Sequence, residues 1–146
     1  KEDVAAMKDL ASEIKTVFEL KEKEEKYLEV LMKKACPNLL ALAGAELGGK
    51  LLLQAGGLKN LMEFPASTIQ VLGAEKALFR HMKTGSKAPR HGYIASHPLL
   101  AEAPQEMHGK IARGLADKIG LAVKVDYFKG EFIGDKFLKG LEKKFK

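Results

Sequence analysis

Apolar residues recur at alternating spacings of three and four at Val4, Met7, Ala11, Ile14 and Phe18, and the series resumes at Leu28, Met32 and Ala35. No other pattern in the chain limits the fold so strongly. A mean spacing of 3.5 puts these side chains along one seam and makes residues 1–35 a single long helix of the coiled-coil type. The seam lapses at Lys21 and Glu25, inside the run KEKEEK at residues 21–26, where i, i+4 ion pairs can form on exposed faces. The pattern predicts a helix that packs along only part of its length. Its uncovered stripe calls for a partner strand, because an amphipathic helix without one leaves its apolar side in water. Cys36-Pro37-Asn38 ends it, since proline disfavours helical geometry in the residue before it and suits a helix start.

Beyond that break the helical patterns are shorter. NLLALAGAELGGKLLLQAGG, from Asn38, reads as a buried helix ending at Gly56 and Gly57, with Gly44, Gly48 and Gly49 serving close helix packing at the cost of intrinsic helix stability. GAELGGK fails as a phosphate loop because it lacks both the Gly-Lys-Ser/Thr ending and a preceding strand. Pro65, Ser67 and Thr68 open the next turn, with Ser67 or Thr68 offering a capping oxygen. Residues 74–83 are good helix formers that stop at Gly85. Pro98 and Pro104 frame a loop or short helix, and Pro104 begins a long helix burying Met107, Ile111, Leu115, Ile119 and Ala122. Residues 132–145 form a last amphipathic helix with Ile133, Phe137, Leu138 and Leu141 inward, followed by a solvated tail of Lys143, Lys144 and Lys146. The fold class is all-α: a long coiled-coil-type helix over residues 1–36, then a compact helical domain over residues 37–146.

Charge is divided unevenly between the halves. Residues 1–72 hold ten Lys or Arg against eleven Asp or Glu, a net of −1, whereas residues 73–146 hold fifteen against eight, a net of +7. In the helix at residues 74–83, Lys76, Arg80 and Lys83 follow i, i+4, i+7 and share one arc. Leu78, Phe79 and Met82 form an apolar arc suited to anchoring the helix on a core. Ala74, Ala77 and His81 lie between the arcs, where the two alanines let a partner approach the backbone. The following loop adds Lys87, Arg90 and His91. A helix N-terminus in such a basic field suits phosphate. Two readings of the charge stand side by side, an RNA-contacting surface and a solvated lysine-rich face.

Catalytic chemistry finds little footing. His81, His91, His97 and His108 show no tight metal-ligand spacing, and Cys36 has no evident base nearby in sequence. Glu75, a lone acid near a helix start, suits the helix dipole better than general acid work. The neighbours Ser96 and His97 prove nothing, because triads are assembled in space. The chain reads as a non-enzyme with no metal and no cofactor. With 46% apolar residues and no uninterrupted run of eighteen, it offers no membrane span. A single cysteine excludes an intramolecular disulfide and is compatible with a reducing compartment. The sequence begins at Lys1 without a signal-peptide pattern, which fits a fragment.

Four segments, in this order, carry a resemblance: LLLQAGGLKNL at residues 51–61, PASTIQVLGAEKALFR at 65–80, KAPRHGYI at 87–94 and GKIARGLADKIGLAVKVDYF at 109–128. Together they resemble the signature of the Nop domain of archaeal and eukaryotic box C/D ribonucleoproteins and a spliceosomal relative. AGG at 55–57 and GAEKALFRH at 73–81 resemble the archaeal form. The resemblance implies that residues 1–36 are the returning helix of an antiparallel coiled coil, which mediates homodimer formation, and that residues 37–146 are the Nop domain. It implies binding to a kink-turn guide RNA already occupied by its kink-turn-binding core protein. It further implies fibrillarin recruited through a separate N-terminal domain outside this sequence, with fibrillarin performing guide-directed ribose 2′-O-methylation. The expected setting is the archaeal cytoplasm, or the nucleolus in a eukaryote.

Carried over residue by residue, the RNA-contact set is Gln70, Gly73, Ala74, Glu75, Lys76, Arg80, Lys83, Lys87, Arg90 and His91. Lys76, Arg80, Lys83, Lys87 and Arg90 meet phosphates in this reading, while Gln70, Glu75, Ser96 and His97 give polar contacts to base, sugar or protein. Lys110, Arg113 and Lys118, off the buried stripe of their helix, extend the basic surface, with Asp117 placed to engage Arg113. His81 contacts RNA or protein. Leu78 and Phe79 stand between core and a wedge onto RNA, their apolar arc favouring the core. The rival is a helical protein-interaction adaptor, or a spliceosomal-type Nop domain, without a role in rRNA modification.

Overall fold

The long seam becomes one uninterrupted helix, α1 (Glu2–Ala35), about 51 Å from end to end at 1.5 Å per residue. The computed structural model describes residues 2–145, so Lys1 and the expected tail residue Lys146 lie outside the described residues. Val4, Met7, Ala11, Ile14 and Phe18 are all exposed, and the ion pair expected where the seam lapses joins Lys21 Nζ to Glu25 Oε1 at 3.4 Å. Contact with the rest of the chain is confined to the last turns of α1. There Met32 is buried and Leu28 half-buried against the next helix, α2 (Pro37–Ala55). The glycines of α2 make this possible. A Cβ at Gly48 would fall 2.6 Å from Met32 Cε, and one at Gly49 would fall 3.1 Å from Leu28 Cδ2.

Gly44 departs from the packing role expected of it. Its φ of +76° lies in the left-handed region, it has open space around it, and it kinks α2. The helix nevertheless runs to the expected end at Gly56. Short helices follow, α3 (Leu58–Glu63) and α4 (Ala66–Val71), then α5 (Glu75–Thr84), a 3-10 turn (Tyr93–Ser96), α6 (Pro98–Ala101), α7 (His108–Tyr127) and α8 (Gly134–Phe145). Every regular element among the described residues is helical, and none is long and apolar enough to cross a membrane. Neither Ser67 nor Thr68 caps α4, whose start is left to the backbone of Pro65.

The core forms around α7, which packs on α2, α3, α4, α6 and α8. Ile111, Leu115, Ile119 and Ala122 are sealed from solvent as the stripe predicts, whereas Met107 is only half-buried. Each fully buried Leu or Ile contributes about 1.5–3 kcal/mol. The helix begins at His108 and not at Pro104, because residues 104–107 form a turn closed by Met107 N–H donating to the Pro104 carbonyl at 2.9 Å.

A buried polar knot joins α2, α7 and α8 across sequence separations of up to 96 residues. Asp126, on α7, accepts hydrogen bonds from the backbone N–H of Asn38 (3.0 Å) and Leu39 (2.8 Å), filling the role of a side-chain cap for α2 that Cys36 does not supply. The Asn38 amide donates to the same carboxylate at 2.8 Å, while its Oδ1 accepts from the backbone N–H of Ile133 and Gly134 at 2.6 and 2.8 Å. This fixes the start of α8 at Gly134, two residues later than the pattern suggests, and leaves Phe132 exposed. Burial, with Asp126 nearby, pushes the Cys36 thiol up to about 11.

Candidate nucleic-acid interface

The segment leading into α5 and the segment returning from its loop cross almost backbone to backbone. Gly92 N–H donates to the Gln70 carbonyl and Tyr93 N–H to the Leu72 carbonyl, both at 2.8 Å, and the Gln70 side chain donates to the Arg90 carbonyl at 2.7 Å. Two glycines permit the crossing. A Cβ at Gly92 would fall 2.0 Å from the Leu72 carbonyl oxygen, and one at Gly73, whose φ is +92°, would fall 2.6 Å from the Tyr93 ring.

From this clasp α5 projects with both ends tied to itself. At its start, Glu75 Oε1 accepts the Gly73 N–H at 2.7 Å. At its end, Gly85 takes a left-handed conformation and donates to the His81 carbonyl at 2.8 Å, Thr84 Oγ1 donates to the Arg80 carbonyl at 2.8 Å, and His81 Nδ1 meets the Ser86 carbonyl. The helix starts at Glu75, one residue later than predicted. Gln70, Glu75 and His81 are therefore engaged in shaping the excursion.

The apolar arc of α5 does not anchor it. No residue of α5 is buried, Phe79 is 60% and Met82 71% exposed, and Leu78 is half-buried. The expectation that Phe79 belongs to the core is corrected: the clasp holds the helix by its ends and brings no core element beneath this face. On the other arc Lys76, Arg80 and Lys83 are exposed, as is Lys87 in the loop, and none of the four is in an ion pair among the described residues.

Arg90 ties the loop to the turn before α7 by donating from Nη1 to the Gln105 carbonyl at 3.3 Å, on the wall of a recess of about 340 Å³ shared with Gln70, Glu106 and Gly109. His91 and His108 face each other with ring centroids 5.7 Å apart. Burial, then the neighbouring His108, lowers the pKa of His91 below the usual imidazole range. These contacts bring the loop to the start of α7, where Lys110 and Arg113 are exposed. The expected Arg113–Asp117 pair does not form.

His97 does not belong with these residues. It is buried, its Nε2 lies 2.9 Å from the Leu42 carbonyl at the α2 kink, and its Nδ1 accepts the Leu99 N–H at the start of α6. The predicted polar contact from His97 to RNA is corrected on that ground: both ring nitrogens serve the fold. Burial lowers its pKa. Ser96 is exposed and its Oγ donates to the Tyr93 carbonyl at 3.0 Å. The sequence reading missed the partners Gln105 and His108, which no local signal ties to the loop. Among the described residues, no group of three or more His, Cys, Asp or Glu is placed to hold a metal ion.

The Nop family sequence model, described as "snoRNA binding domain, fibrillarin", matches residues 1–146. The chain belongs to the Nop family. This Nop chain is 46% identical over 142 residues to an uncharacterised NOP5 family protein of Methanocaldococcus jannaschii, covering 97% of itself and 34% of that relative. It is 37% identical over 126 residues to nucleolar protein 56 of Caenorhabditis elegans, covering 86% of itself and 26% of the relative. With nucleolar protein 58 of Mycosarcoma maydis it shares 40% identity over 124 residues, covering 85% of itself and 21% of the relative. The chain thus spans about a third or less of the length of these curated relatives. Among solved structures, it resembles a chain of a crystallised fibrillarin/Nop5p complex with a TM-score of 0.73 and 35% identity, over 92% of this chain and 50% of that one. That likeness agrees with the all-α architecture.

Proposed function

We propose that this Nop domain is the RNA-clamping part of a box C/D guide ribonucleoprotein. It grips kink-turn RNA together with the kink-turn-binding core protein and serves as a non-catalytic scaffold for ribose 2′-O-methylation performed by fibrillarin. The observation that carries the reading is the α5 excursion: four exposed cations in no ion pair among the described residues, Lys76, Arg80 and Lys83 on a helix clasped to the domain and Lys87 in the loop that follows it. Counterion release makes such a surface a phosphate binder. Exposed Phe79 and Met82 on the same helix suit a composite target, offering apolar contact to a base or to the bound protein. Gly73, Ala74 and His91 line the approach, and Lys110 and Arg113 lengthen it. Kinship with nucleolar proteins 56 and 58 and with the Nop5p chain supports the same assignment and a nucleolar setting in a eukaryote, or the cytoplasm of an archaeon. Fibrillarin is reached through a domain outside this chain, and the seam of α1 at Val4, Met7, Ala11, Ile14 and Phe18 pairs in a coiled coil that supports homodimer formation.

Binding to a box C/D kink-turn RNA, with and without the kink-turn-binding core protein, across a salt series tests the reading. Tight binding only to the preformed complex is expected, with log affinity falling against log salt at a slope of about −3.5 to −4.5 if five phosphates are neutralised. Replacing Lys76 and Arg80 together with Ala should weaken binding and flatten the slope by about 1.4–1.8. Equal, weak binding to any RNA would reduce the surface to a generic basic face.

A further inference from the structure

Five glycines would find open space around an added Cβ: Gly44, Gly57, Gly85, Gly109 and Gly140. Backbone conformation accounts for Gly44, Gly57 and Gly85, which all have positive φ. Gly109 and Gly140 are different, for they sit within α7 and α8 with no positive φ, where glycine is the poorest helix former after proline. Nothing inside the fold demands either one. Each, however, lines a recess. Gly109 lines the one beside Arg90, and Gly140 lines an open groove of about 700 Å³ between the start of α4, the second half of α7, and α8.

The groove has an apolar floor and a basic rim. Phe64, Pro65, Leu121 and Leu141 form the floor, and Leu121 is 45% exposed. Lys118, Lys124 and Lys144 form the rim against a single acid, Asp117. Two of these ammonium groups rest over aromatic rings of α8, Lys118 at 4.9 Å from the Phe137 centroid and Lys144 at 5.4 Å from that of Phe145. We propose that this groove docks an acidic amphipathic helix of a protein partner. Apolar side chains of that helix sit between Leu121 and Leu141, its carboxylates meet Lys118, Lys124 and Lys144, and its backbone passes over the gap at Gly140. An RNA backbone would match the lysines but would leave the floor unused. The groove adjoins the proposed RNA surface where its lining residue Gly114 follows Arg113, and extends away from it along α7, Lys124 lying about 21 Å from Lys110.

Selection of a random 15-residue peptide library on the immobilised chain, followed by fluorescence polarisation of the enriched peptides, tests the proposal. Enriched peptides should carry Asp or Glu around two or three Leu, Ile or Phe at helical spacing. Lys124→Glu and Gly140→Gln should each weaken their binding at least tenfold. Gly140→Gln should at the same time raise the thermal midpoint by a few degrees, so that lost binding is not lost folding. No enrichment, enrichment without acidic residues, or unchanged binding by both variants would overturn the proposal. So would a tenfold loss of kink-turn RNA affinity in Lys124→Glu, which would hand the groove to RNA. Failure of the peptides with intact RNA binding would leave the RNA-clamp reading standing.

Discussion

α5 and α7 carry the same kind of pattern and meet opposite fates. In α7 the apolar stripe of Ile111, Leu115, Ile119 and Ala122 is sealed from solvent on all sides, while in α5 the arc of Leu78, Phe79 and Met82 leaves its two largest members in water. The difference lies in attachment. α7 runs between five other helices, whereas α5 is held by a clasp and by caps at its own ends. Periodicity assigns residues to a face, but only the chain on either side decides whether anything lies beneath that face. An apolar arc that the fold leaves bare is available to a partner.

The contrast can be broken or sharpened by substitution. The largest expected effect is Asp126→Ala, which strips the Asn38 and Leu39 N–H groups and the Asn38 amide of their buried acceptor and should cost about 3–5 kcal/mol in denaturant unfolding. A loss under about 1 kcal/mol would show that the knot does not hold α2 to α7. Next, Leu115→Ala should cost about 2–5 kcal/mol, while Phe79→Ala stays within about 0.5 kcal/mol. Equal losses at the two positions would erase the distinction between the helices.

A subtler test uses pH. The pKa of His97 is lowered in the folded state by burial, so the unfolded chain binds more protons in the window between its folded and ordinary values. Its neutral form thus contributes stability that is present in full above the ordinary value of 6.5 and is lost as the pH falls through the folded one. His91, also lowered, acts in the same direction. Unfolding measured from pH 7.5 down to pH 5 should show a decline that is shallower in His97→Gln. An identical decline in both proteins would remove His97 from that role.

Much of this architecture was legible because helical periodicity is local: the seam of α1, the stripe of α7 and the arc of Lys76, Arg80 and Lys83 are each written within a few turns. The Asn38–Asp126 knot was not, since its members stand 88 residues apart and neither is unusual in its own neighbourhood. His97 was misread for a related reason. Beside Ser96 and Pro98 it looks like a loop residue, and only the kink at Gly44 brings a carbonyl of α2 against its ring. At the candidate site the cations could be chosen from spacing and resemblance. The engagement of Gln70 and Arg90 in shaping the loop required knowing which backbone groups the crossing at Gly73 and Gly92 brings close.

The geometry of α1 has a mechanical consequence. The helix is gripped near Leu28 and Met32 and is bare toward its far end, so it acts as a lever with its fulcrum beside Gly48 and Gly49. A tilt of about 10° there sweeps the tip through roughly 7 Å, given an arm of about 40 Å from the fulcrum to Glu2. The depth of the contact beside Gly48 and Gly49 thus sets the reach of the whole arm, as far as Val4 and Met7.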